Sequence, residues 1–81
     1  MNEKINNIRN NSAKIRIGKK GITEGIVKEI SILLRIEHAV KVKCLKIIPS
    51  GSTKAIARNI AEITKSEIFE IRGKTFILIK E

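Results

Sequence analysis

Apolar and polar positions along this chain switch between two periods. Lys14-Ile15-Arg16-Ile17 places Ile15 and Ile17 on one side and Lys14 and Arg16 on the other, which predicts a short strand. From Thr23 the period lengthens. Ile26, Val27, Ile30, Leu33 and Leu34 share one face of a helix running to about Ile36, with Thr23 as N-cap and Glu24 in the first turn. Ala39 to Leu45 returns to a period of two, with Val40, Val42 and Cys44 facing one way and Lys41 and Lys43 the other. Ile47 and Ile48 should prolong this strand until Pro49-Ser50-Gly51-Ser52 breaks it. Ser52 or Thr53 then caps a second helix carrying Ile56, Ala57, Ile60, Ala61 and Ile63 on one side. Ser66 to Ile71 reads as a third strand, Gly73 as a tight turn, and Thr75 to Lys80 as a fourth, well-covered strand. Residues 1–13 are polar and Asn-rich, with Ile5 and Ile8 as their apolar anchors, and read as a short helix or a flexible basic arm.

The resulting order is β-α-β-α-β-β. Right-handed crossovers put the helices on one face of a mixed four-stranded sheet, an α/β two-layer sandwich. The short Arg72-Gly73-Lys74 connection makes the last two strands an antiparallel hairpin.

At 81 residues the chain holds one domain. Lys and Arg number 17 against 8 acidic residues, a formal charge of +9 and a pI near 10.1. Every one of those acids is Glu. An imbalance this large on a small domain implies a polyanionic partner, nucleic acid before an anionic membrane surface. No stretch approaches the ~20 apolar residues of a membrane span, and the first residues lack the apolar core of a signal peptide. The single cysteine, Cys44, forms no internal disulfide, so the chain reads as cytoplasmic. It sits on an apolar strand face, where a buried, inert thiol is expected. His38 beside Glu37 is the only pair with acid–base potential, and no nucleophile accompanies it. The residues for a metal site are absent. The composition therefore points away from an enzyme, a cofactor or a small-molecule substrate.

Candidate chemistry concentrates at Gly18-Lys19-Lys20-Gly21, between the first strand and the first helix. Two glycines let the backbone approach a phosphate, the helix amides can donate to it, and two lysines add sequence-independent attraction. Ile17 ends its strand, and ligands of β-α-β units gather at the carboxyl ends of strands. Lys14, Arg16, Thr23, Lys28, Lys41, Lys43, Arg72 and Lys74 are the expected supporting contacts, with Lys46 nearby. Phe69 and Phe76 are the only aromatic residues. Both are expected in the core, so base stacking should contribute little and phosphate contacts should dominate.

The block from Ile15 through Gly18-Lys19-Lys20-Gly21-Ile22-Thr23 to Ile30 resembles the CRM domain family, named for chloroplast RNA splicing and ribosome maturation. Val40-Lys41-Val42-Lys43 and Gly73-Lys74-Thr75-Phe76-Ile77-Leu78 continue the resemblance in the same order, so residues 14–81 read as a single CRM-like domain. The resemblance implies a fold like the C-terminal domain of bacterial translation initiation factor three. It implies a monomeric, non-enzymatic RNA-binding protein whose GxxG loop contacts ribosomal RNA during large-subunit assembly or RNA maturation. A DNA-coating, chromatin-like protein and a ribosome-associated protein-interaction module share the charge and stand as the alternatives.

Overall fold

The computed structural model describes residues 12–49 and 51–80. The expected arm over residues 1–13 thus falls almost wholly outside the described residues. Six elements follow in chain order: β1 (Ile15–Ile17), α1 (Glu24–Glu37), β2 (Ala39–Cys44), α2 (Ser52–Thr64), β3 (Glu67–Arg72) and β4 (Thr75–Ile79). The sheet order is β1-β2-β4-β3, with β1 parallel to β2 and β4 antiparallel to both β2 and β3. This is the mixed four-stranded sheet that the periodicity predicts.

One core lies between the sheet and the two helices. Ile15, Ile17, Val40, Val42, Cys44, Phe76 and Leu78 meet Ile30, Leu34, Ala57, Ile60 and Ala61 there. Side chains alternate across a strand, so the residues between these positions lie on the other face of the sheet, opposite α1 and α2.

Four local expectations fail. β2 stops at Cys44, and Leu45 to Ile48 form a turn closed by the Ile48 N–H donating to the Leu45 carbonyl (2.9 Å). Burial decides this, since the turn tucks Ile48 into the core and leaves Ile47 in solvent, whereas a strand would have kept both in the sheet. The N-cap of α2 is Gly51, without a side-chain capping bond, rather than Ser52 or Thr53. Thr53 is fully buried instead, and its hydroxyl has no partner. On α2, Ile63 faces solvent and Thr64 is buried, its hydroxyl donating to the Ile60 carbonyl at 2.7 Å. Finally β3 begins at Glu67, and Phe69 is 40% exposed rather than in the core. The cause is a register shift between Ile68 and Glu70. Such a β-bulge adds one residue to its strand. Ile68 and Ile71 pair with Leu78 and Phe76 on the core side, so Phe69 and Glu70 both fall on the face opposite α1 and α2.

Both helices end on a residue in the left-handed region, His38 (φ 65°) and Lys65 (φ 55°). The His38 N–H donates to the Leu34 carbonyl (2.9 Å), while its Nδ1 donates to the Lys80 carbonyl (3.2 Å). His38 therefore joins the end of α1 to the end of the sheet, remote from the GxxG loop.

Candidate nucleic-acid interface

Gly18 to Gly21 form a tight turn in which the Gly21 N–H donates to the Gly18 carbonyl at 2.8 Å. Gly21 sits at φ +66°, a conformation that costs any residue with a Cβ about 1–2 kcal/mol. Gly18 serves a different need. A Cβ there would meet Leu45 Cδ1 at 3.2 Å, so its absence lets the loop lie against the turn after β2. Lys19 and Lys20 at the tip are exposed. Thr23 caps α1, accepting from the Ile26 N–H at 3.2 Å. Thr23 is thus the N-cap that the spacing predicts.

Three loops are tied together at this end of the sheet. The Leu45 N–H donates to the Ile17 carbonyl (2.8 Å), and the Cys44 N–H to the Lys74 carbonyl (2.7 Å). The Lys74 ammonium donates to the carbonyls of Leu45 (3.3 Å), Lys46 (3.1 Å) and Ile48. Lys74, one of the expected contacts, thus holds the turn after β2 in shape. Because β1, β2 and β3 run the same way, α2 also starts at this end, with Lys54 exposed in its first turn. Two positive helix ends thus add to the side-chain charge.

The face of the sheet opposite α1 and α2 carries the second part of the candidate site. Arg16 pairs with Lys43, Lys43 with Thr75, and Thr75 with Arg72, making one row across all four strands. At a strand spacing of about 4.8 Å the row is about 14 Å long. Arg16, Lys43 and Arg72 are exposed, and the row contains no acid. Like charges directly opposite one another destabilise a sheet. The next row holds Lys41, Ile77 and Glu70, and the one beyond it Ala39, Ile79 and Glu67. Positive charge is therefore densest where the face meets the loops.

Of the expected site residues, Gly18, Lys19, Lys20, Gly21, Arg16, Lys43 and Arg72 converge on this end. Lys41 lies one row away. Lys14 precedes β1 at the far end of that strand, and Lys28 is exposed a turn into α1, in the helix layer. Sequence reasoning did not place Lys54 at this end of the sheet, and the parallel direction of β1 and β2 was the signal that would have done so. It also missed the exposure of Phe69, because a bulge leaves no periodic signature.

A family model described as the CRS1 / YhbY (CRM) domain matches residues 3–80. The chain belongs to the CRM domain family. The match begins within the segment read as an arm. Among solved structures, this CRM domain is similar to a hypothetical Staphylococcus aureus protein proposed to bind RNA, determined in solution. The two share 26% identity with a TM-score of 0.75, over 100% of this chain and 88% of the other. No curated protein sequence is similar enough to count as a relative.

No group of His, Cys, Asp or Glu among the described residues could hold a metal ion. No described helix is long and apolar enough to cross a membrane.

Proposed function

We propose that this CRM domain is a non-enzymatic RNA-binding protein that grips RNA by its phosphates at the loop end of the sheet. The Lys19–Lys20 tip and the start of α1 hold one stretch of backbone, and the Arg16–Lys43–Arg72 row holds the next. The observation that carries this reading is the acid-free row beside the loop, a local electrostatic cost that an incoming polyanion would relieve. Family membership and the similarity to a protein proposed to bind RNA support the choice of RNA. The family resemblance further suggests ribosomal RNA, during large-subunit assembly or RNA maturation.

The test is binding of the wild-type protein and a Lys19→Glu/Lys20→Glu variant to a structured ribosomal RNA fragment and to duplex DNA of matched length. The wild type should prefer the RNA. The variant should bind it at least about tenfold more weakly while keeping its thermal midpoint, because both side chains are exposed. Equal affinity for the DNA would shift the reading to a DNA-coating protein, and an unaffected variant would remove the loop from the site.

A further inference from the structure

We infer that the end of the molecule opposite the GxxG loop carries a second phosphate site, which, resting on the RNA-binding reading above, holds a further stretch of the same RNA's backbone. The C-terminal ends of α1 and α2 frame an open cavity of about 400 Å³. Arg35, His38, Lys65 and Lys80 line it, and Leu34 and Ile63 form its apolar part. Every charged group that the described residues bring to the lining is cationic. The volume falls in the range of ligand pockets, which combine apolar walls with a few converging polar groups.

Magnitudes decide what these cations do. Basic side chains at helix C-termini ordinarily offset the helix dipole, and two helix ends bring about −0.5 charge each. Against that stand the full charges of Arg35, Lys65 and Lys80, a surplus of about two. The carbonyls at these ends are also met by other donors. The His38 N–H donates to the Leu34 carbonyl, and the Lys65 N–H to the carbonyls of Ala61 and Glu62. The Lys80 ammonium donates to the Thr64 carbonyl at 2.9 Å, which leaves two of its three donors. Arg35 and Lys65 are exposed, and neither side chain bonds to a described residue. Closing the helices therefore leaves cationic donors over, and a phosphate is the group they fit.

Position favours a polyanion over a small one. α1 runs from the GxxG loop to the cavity, and its 14 residues are about 21 Å long. Lys28 is exposed between the two ends, seven residues before Arg35 and so on the same side of the helix. Glu24 is the one acid of α1 on that side. Lys28, which the loop end does not gather, thus lies between the Lys19–Lys20 tip and Arg35. RNA held at the loop reaches the cavity past Lys28, whereas a small anion in the cavity makes no use of it.

The test is the salt dependence of affinity for the structured ribosomal RNA fragment. Arg35→Gln and Lys65→Gln should each flatten the slope of log K against log salt by about 0.7 to 0.9, and the pair by about 1.4 to 1.8. Arg58→Gln removes one charge from an exposed position on α2 outside the cavity and should leave the slope unchanged. Arg35→Lys/Lys65→Arg keeps both charges and should bind like the wild type, which separates lost charge from disturbed folding. Effects of the Gln pair and of Lys19→Gln/Lys20→Gln should add, because the two ends are far apart. Titration with inorganic phosphate and 5′-AMP, followed through the amide shifts of Lys65 and Lys80, distinguishes free phosphate compounds from RNA. Binding of either compound there, with the RNA slope unchanged in the Gln pair, would assign the cavity to small phosphates and overturn the inference. Flattening by Arg58→Gln as large as that by Arg35→Gln would also overturn it. If only the Lys19–Lys20 variant flattens the slope, the loop reading stands without the second site. If the wild-type protein binds no RNA, both fall together.

Discussion

At the scale of single residues, several lysines that look alike in the sequence do different work. Lys19 and Lys20 face solvent, whereas Lys74 directs its ammonium into three carbonyls of the turn after β2. A charged donor on carbonyls contributes more than a neutral one. Lys74→Met should therefore lower stability by about 1–2 kcal/mol in urea unfolding. Lys74→Arg should recover little, because a planar guanidinium cannot converge on three acceptors arranged around one ammonium. Unchanged stability in both variants would show that the turn holds itself. The sequence suggests the GxxG loop clearly, because Gly18 and Gly21 flank two cations at a strand-to-helix junction. It does not distinguish Lys74 from its neighbours, since the carbonyls it binds belong to a turn whose shape depends on burying Ile48. Phe69 was misread for a related reason. An aromatic residue in an apolar strand suggests the core, and only the pairing register reveals the bulge.

At the scale of elements, the strong periods identify the helices and strands, and the packing adjusts their ends. The apolar face of α1 is set by Ile30 and Leu34, and its start by the Thr23 cap. α2 is less legible at both ends, where Gly51 caps without a side chain and Thr64 replaces Ile63 in the core. The sheet carries the sharper consequence. Arg16 and Lys43 are cross-strand partners of like charge. Lys43→Thr should raise stability at low salt by about 0.2–1 kcal/mol and weaken RNA binding at the same time. Thermal unfolding at two salt concentrations, alongside binding, checks the pair of outcomes. A variant that loses both stability and affinity would mean that Lys43 contributes packing rather than an anion contact.

At the scale of the whole molecule, the topology gathers the charge. β1, β2 and β3 point the same way, so the GxxG loop, the turn after β2, the Arg72–Lys74 hairpin and the start of both helices share one end. The other end holds His38, Lys65 and Lys80 in backbone bonds that close the helices and the sheet. Part of the +9 charge is thus gathered at one end of the sheet. The measurement that tests this most directly is the salt dependence of RNA affinity. If Lys19, Lys20, Arg16, Lys43 and Arg72 each neutralise one phosphate, log K should fall with log salt at a slope of about −3.5 to −4.5. Lys19→Gln/Lys20→Gln should flatten that slope by about 1.4 to 1.8. A wild-type slope shallower than about −1, or a slope that the double substitution leaves unchanged, would contradict phosphate binding at this end of the sheet.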